Sequence, residues 1–246
     1  MTPMNGHVIK ISHLNKSFGD LQVLFDINLS LREDENLVIL GRSGTGKSVL
    51  IKCIVGLEKA DTGSIEVLGN SITDMDEFSL NELRKQIGFL FQGGALYDSM
   101  SVEENLLFPL KRNAPGLSEA EKNDLIDDVL ESVGLIDAKY KMPSELSGGM
   151  KKRAGLARTL VLQPKMILYD EPTTGLDPFT SRGISELIIK IKKRYKTAAI
   201  IVTHDMNCAK TTSDRLIIMD NGRILAKGDF KEVEKIDNDT IQGFFR

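Results

Sequence analysis

No run in the 246 residues approaches the ~20 consecutive apolar residues that span a bilayer, so the chain itself is not expected to cross one. The opening stretch "MTPMNGHVIK" has no apolar core, which argues against a cleaved secretory leader. Cysteine is scarce. Cys53 and Cys208 lie far apart with no further ligands at metal-type spacing, so a disulfide framework and a zinc module are excluded, and two reduced, packed thiols are expected. There is no excess of one charge: 32 basic against 35 acidic residues leave a net −3, which offers no general attraction to nucleic acid. Internal repeats and low-complexity tracts are also missing. What remains is ordinary globular composition, 41% hydrophobic and 27% charged, in a length able to bury a sizeable interior.

Two kinds of hydrophobic pattern organise the chain. Phe25, Ile27, Leu29 and Leu31 alternate with Asp26, Asn28, Ser30 and Arg32, the period of a half-exposed antiparallel strand. By contrast "NLVILG", "MILYD" (166–170) and "AAIIVTHD" (198–205) are continuous apolar runs ending in polar residues, as expected of strands covered on both faces. "RLIIMDNGRILAKG" carries an Asn-Gly turn between two apolar runs and reads as a hairpin. Between roughly 95 and 160 the pattern becomes helical. Ser118 and Glu121 form a capping box before "KNDLIDDVLESV", and Gly134 ends that helix. A parallel-stranded α/β core is therefore expected, with an antiparallel piece near the N-terminus and an inserted helical segment.

"GRSGTGKS", Gly41 to Ser48, fits G-x-x-x-x-G-K-[ST] with a buried strand before it and the helix "VLIKCIVGL" after it. Gly41, Gly44 and Gly46 let backbone N–H groups wrap phosphates, and the helix start adds a positive dipole end. Lys47 should reach the β- and γ-phosphates of a nucleotide, and Ser48 should ligate Mg²⁺, though the loop alone does not separate a kinase from a GTPase or a motor. Arg42, Ser43, Thr45 and Val49 are candidate contacts by position. "MILYDEP" delivers Asp170 and Glu171 to a strand's carboxyl end, where open α/β sheets bind ligands. Asp170 suits the Mg²⁺ shell, and Glu171 suits orienting or deprotonating a water. The alternative is two acids in an exposed turn. His204, ending another buried strand, is either structural or a γ-phosphate contact.

Together, "GRSGTGKS", Gln92 in "FLFQGG", "LSGGM", "MILYDEP", "TTGLDP" and "THD" stand in an order that resembles the ATP-binding subunits of ABC transporters over nearly the whole chain. The resemblance implies one ATPase domain over 1–246. Its fold would be α/β, a P-loop NTPase core of RecA type with an N-terminal antiparallel β subdomain and a helical signature subdomain inserted at about 95–160. It implies that Phe18 stacks on adenine, the alternative being a core phenylalanine, and that Gln92 completes the Mg²⁺ shell. It also implies a head-to-tail two-fold dimer in which Ser147, Gly148 and Gly149 of one copy meet the γ-phosphate held by the other. Ser147 can cap the following helix, and the glycines permit close approach of phosphate. The plainer reading of "LSGGM" is a helix N-cap, since Met150, Ala154, Ala157 and Val161 form an apolar stripe. Catalysis would then rest on Glu171, His204 and Lys47 with ATP and Mg²⁺.

Most members of this family carry glutamine at position 150. Methionine there, with "FQGGALYDSMSVEENLLFPL" after Gln92, resembles the ATPases of Mla-type, MCE-associated lipid transporters. That likeness implies a membrane permease, docked on a small apolar groove at Gly93, Gly94, Ala95, Leu96 and Tyr97, and an MCE-domain lipid-binding protein. The chain would sit on the cytoplasmic side of the bacterial inner membrane and power phospholipid transport. An ATPase for another substrate, of amino-acid importer or lipoprotein exporter type, is the alternative. A nucleotide-gated module without transport is a third reading, though such proteins usually carry two cassettes or a long coiled-coil insertion. The end at Arg246 leaves tail-mediated clasping of the opposite subunit in doubt.

Overall fold

The continuous apolar runs become strands with a hydrophobic layer on each side. The computed structural model describes residues 6–245; Met1–Asn5, half of the stretch read for a leader, and Arg246 lie outside the described residues. β1 (His7–Phe18), β2 (Leu21–Arg32), β4 (Thr62–Val67) and β5 (Asn70–Ser71) form an antiparallel sheet in the order β2-β1-β4-β5. β3 (Asn36–Leu40), β6 (Ile87–Leu90), β7 (Met166–Asp170), β8 (Ala198–Thr203), β9 (Arg215–Asp220) and β10 (Arg223–Gly228) form the second sheet, ordered β10-β9-β3-β8-β7-β6. Its pairs are parallel except for the β9–β10 hairpin, as the Asn-Gly signal implied. Asn221 and Gly222 both take positive φ, 45° and 71°, which the tight turn requires.

Each central strand divides its side chains between two cores. Leu37 and Ile39 of β3, Met166 and Leu168 of β7, and Ile200 and Val202 of β8 pack towards the antiparallel sheet and α1 (Lys47–Ile54). Val38 and Leu40, Ile167 and Tyr169, and Ala199 and Ile201 pack on the opposite face, against helices. This is why those segments show no polar alternation. α2 (Glu77–Arg84) precedes β6, and three helices then fall between β6 and β7: α3 (Val102–Asn113), α4 (Glu119–Val133) and α5 (Gly148–Leu160). Ser118 and Glu121 make the expected reciprocal cap, and Gly134 closes α4 at φ 68°. α6 (Pro178–Tyr195) and α7 (Met206–Thr212) flank β8, and α8 (Phe230–Glu234) and α9 (Asp239–Phe245) follow the hairpin.

One local expectation is corrected. The alternation read from Phe25 to Leu31 holds only from Ile27 onwards. Asp26 takes φ 50°, and the β1–β2 register shifts beside it between the pairs Leu14–Ile27 and Lys16–Leu24. Leu24 is therefore the buried residue, while Phe25 is half-exposed with the Arg223 guanidinium 4.6 Å from its ring. A bulge of this kind inverts the inward face of a strand.

Candidate active site

α1 starts directly out of the glycine-rich loop, with Gly46 at φ 95° as its N-cap and no side chain capping it. A side chain at Gly46 would press on the Val23 carbonyl at 2.9 Å, so this glycine is needed for both conformation and space. The loop also braces itself. Thr45 Oγ1 donates to the Arg42 carbonyl at 2.9 Å, and Lys47 Nζ donates to the carbonyls of Gly41 (2.7 Å) and Arg42 (2.8 Å). Ser43, Gly44, Gly46, Lys47, Ser48 and Val49 line a cavity of ≈ 340 Å³ together with Gln92, Glu171 and His204, joining residues from four distant parts of the chain. Val23 and Thr174 line it too; neither was singled out from sequence, and only their placement reveals them.

The acidic side of this cavity is organised around Glu171, itself in a left-handed conformation at φ 51° and nearly buried. Its Oε2 accepts from Thr174 Oγ1 at 3.1 Å and lies 2.8 Å from His204 Nδ1, while Lys47 Nζ stands 3.5 Å from Oε1. Its backbone N–H donates to the Val202 carbonyl of β8 at 2.9 Å. Strain of this kind at a non-glycine residue costs of order 1 kcal/mol or more and persists where the surroundings hold it. Burial pushes the Lys47 ammonium below the ordinary lysine value, opposed by the Glu171 carboxylate. Burial likewise raises Asp170 above the usual carboxylate value, opposed by a 3.0 Å hydrogen bond from Ser48 Oγ to Asp170 Oδ1.

That hydroxyl–carboxylate pair presents hard oxygen donors, the type that suits Mg²⁺. Among the described residues no cluster of three or more His, Cys, Asp or Glu forms a metal cage. The donor set therefore fits an ion that takes few protein ligands and completes its shell with water and phosphate oxygens.

The remaining sequence candidates fall outside the cavity lining. Gly41 follows directly on β3, its N–H donating to the Thr203 carbonyl at 3.2 Å. Arg42 extends outward, its guanidinium 5.7 Å from the Phe244 ring. Phe18 ends β1, 44% exposed, with Lys16 Nζ 4.9 Å from its ring centroid; this exposure excludes the core-phenylalanine alternative and leaves a face free. Ser147 caps α5 by accepting from the Met150 N–H at 3.3 Å. Gly148 is exposed, whereas Gly149 is buried, and a Cβ there would sit 2.5 Å from Thr180 Cγ2. Close packing of α5 on α6 thus gives Gly149 a reason of its own, which sequence did not reveal. Met150 is partly buried against the helical core, and the stripe of Ala154, Ala157 and Val161 is buried. Cys53 and Cys208 are free and buried, as expected.

A phosphate loop, a paired Ser48–Asp170 and a fixed Glu171 at the carboxyl ends of parallel strands define a phosphate-loop nucleoside triphosphatase. The family model described as ABC transporter matches residues 24–174, and the chain belongs to the ABC transporter family as an ATPase cassette. It is 40% identical over 221 residues to the methionine import ATP-binding protein MetN of Rhizobium johnstonii, covering 90% of this chain and 60% of that one. It is 43% identical over 211 residues to the probable ribonucleotide transport ATP-binding protein mkl of Mycobacterium leprae, covering 86% and 60%. The chain thus spans about 60% of the length of these relatives. Among solved structures it is similar to cbiO1 of Clostridium perfringens, part of the ABC transporter complex cbiONQ, with TM-score 0.87, 32% identity and coverage of 93% and 91%. It is also similar to a dimeric ATP-binding cassette bound to ADP and Pi in a post-hydrolysis state, with TM-score 0.81, 30% identity and coverage of 90% and 98%. No helix among the described residues is long and apolar enough to cross a membrane.

Proposed function

We propose that the chain is the ATP-hydrolysing subunit of an importer of a small metabolite, with amino-acid import the class its relatives support best. The observation that carries the hydrolytic part is Glu171. Its carboxylate is held by Thr174 and His204 beside Lys47 and faces the cavity that the phosphate loop lines. In this reading the loop's N–H groups and Lys47 bind the β- and γ-phosphates, and Phe18 offers its exposed ring to adenine. Ser48, Asp170 and Gln92 would hold Mg²⁺, which when bound neutralises charge on the phosphates. Glu171 then orients the attacking water, and His204 keeps the carboxylate in place through Nδ1 and turns the rest of its ring to the γ-phosphate.

Ser147, Gly148 and Gly149 do not line the cavity around Lys47. Their separation supports their use by a second copy: the Ser147 end of α5 from one chain would close on the phosphate held by the other. Two incomplete sites would thereby complete each other across a two-fold axis. Glu171→Gln is expected to bind ATP, to accumulate a dimer on gel filtration and to turn over slowly. Loss of ATP binding in that variant would remove Glu171 from the role assigned here.

The substrate reading rests on relatives named for methionine import and ribonucleotide transport. A second reading, phospholipid transport with an MCE-type partner, is favoured by Met150 and by the segment after Gln92. There Tyr97 and Phe108 are exposed, with Phe108 packed edge-on to Tyr97 at 5.1 Å. Either reading places the chain on a membrane permease at the cytoplasmic face. Purifying the tagged chain from mildly solubilised membranes and identifying its companions separates them. A permease with a solute-binding protein supports import, and a permease with an MCE-domain protein would overturn it in favour of lipid transport.

A further inference from the structure

α5 carries a lysine that the roles above leave unused. Lys152 is buried, 6% exposed, one turn beyond the Ser147 cap. Its Nζ donates to two main-chain carbonyls, that of Gln92 and, at 3.3 Å, that of Glu171. Burial lowers its affinity for a proton, and the Glu171 and Asp170 charges restore part of it. A buried ammonium is retained only where such partners satisfy it.

The same face of α5 grips the Gln92 loop at successive turns. Gly155 lies so close to the loop that a Cβ there would stand 2.6 Å from the Gly94 carbonyl oxygen. Arg158 donates to the Ala95 carbonyl at 2.6 Å, and Thr159 Oγ1 holds the strand that leads into the loop, donating to the Phe89 carbonyl of β6 at 3.3 Å. Residues 152, 155, 158 and 159 recur at helical spacing, so this loop rides on α5 as one body. Lys152 is the member of the stripe that also reaches Glu171. The N–H of Glu171 is held by β8 and its carbonyl by Lys152, so its left-handed backbone is clamped from both sides.

From this geometry we infer that Lys152 is a positioning residue for hydrolysis: it fixes the peptide of Glu171 relative to the Gln92 loop, so that the carboxylate stays aimed and moves with α5. The inference rests on Glu171 acting on the attacking water. Lys152 touches neither substrate nor metal in this role. A shift of the α5 end, or of the Gln92 loop, is carried to the backbone under the carboxylate through one ammonium.

The test is steady-state ATP hydrolysis by the full chain, with binding of a fluorescent ATP analogue and thermal unfolding measured in parallel, for Lys152→Met, Lys152→Arg and Glu171→Gln. Lys152→Met keeps the stem and deletes the donors. It is expected to lower kcat by about ten- to a hundredfold, the penalty of a misaimed group, with KM and analogue affinity changed less than about twofold. Lys152→Arg, which can still donate to both carbonyls, is expected to recover at least a third of the wild-type kcat. Unchanged kcat in Lys152→Met overturns the inference. So does a parallel loss of kcat, analogue affinity and melting temperature that Lys152→Arg does not repair, since that is the pattern of a merely structural lysine. If Lys152→Met fails to fold, Lys152→Gln replaces it, since its shorter neutral side chain cannot hold both carbonyls: kcat lowered at least about tenfold at little-changed KM is expected, and wild-type kcat overturns the inference. Glu171→Gln separates the two levels. Retained turnover there refutes the role of Glu171, whereas its loss beside a fully active Lys152→Met refutes only the role of Lys152.

Discussion

Gly149→Ala separates packing from phosphate recognition at one position. The added Cβ would lie 2.5 Å from Thr180 Cγ2, closer than carbon atoms approach. Thr180 has little room to yield, because its hydroxyl and its N–H are both bonded to the Asp177 carboxylate that caps α6. Overpacking of this kind costs about 1–3 kcal/mol. Alanine gains up to ~1 kcal/mol over glycine inside a helix and less in a first turn. The balance is a net loss of about 1–2 kcal/mol, or a fall of roughly 2–8 °C in Tm for a chain of this size. Thr180→Ser removes the offending methyl and keeps the capping hydroxyl. In the double variant the loss should vanish, giving a favourable coupling of about 1–2 kcal/mol in a cycle of four proteins. Urea unfolding followed by circular dichroism measures it. Additive effects, or a Gly149→Ala variant as stable as the parent, would refute the argument. The hydrolysis rate of the double variant then isolates the second role. Recovered turnover means glycine is needed only for the fit of α5 on α6, and persistent loss at restored stability means that a partner's phosphate requires the bare backbone.

Two further outcomes follow from the electrostatics. Ser48→Ala removes the hydrogen bond that holds Asp170 down, so the acid limb of hydrolysis should move to higher pH and the Mg²⁺ requirement should rise by about tenfold or more; an unchanged Mg²⁺ titration would refute the pairing. Burial pushes the Cys53 and Cys208 thiols up to about 11. Raised folded values mean their contribution to stability is present below the unfolded value of about 8.5 and is lost as pH rises through about 11. The urea midpoint should therefore fall over that interval, and less in a Cys53→Ala/Cys208→Ala variant compared with itself at pH 8. Equal slopes in the two proteins would count against it.

The parts of this molecule legible in the sequence are those where local chemistry and tertiary role coincide. Gly46 and Lys47 are dictated by the loop they build, Asn221–Gly222 by its hairpin, and the Ser118–Glu121 box by the start of α4. The runs in β3, β7 and β8 announced two-sided burial because both faces are in fact covered. What stayed hidden depends on neighbours far along the chain. The face inversion at Asp26 follows from pairing with β1, the crowding at Gly149 from α6, and the two acceptors of Lys152 from segments 60 and 19 residues away. The substrate is hidden for a different reason. The phosphate loop and its acids serve hydrolysis rather than cargo, and Met150 is partly buried against the helical core, where its contacts name no substrate.

The hairpin turn at Asn221–Gly222 has a practical consequence. Short polar turns are the usual places to insert a tag, a fluorophore or a new chain end. This one is seated: the Gly222 carbonyl accepts from the Phe25 N–H at 2.9 Å, and even a methyl on Gly222 would meet the Val23 carbonyl oxygen at 2.2 Å. Val23 lines the cavity beside Lys47. Splicing at this turn would thus push on the wall of the cavity that the phosphate loop lines, from a part of the sequence where no motif warns the engineer away.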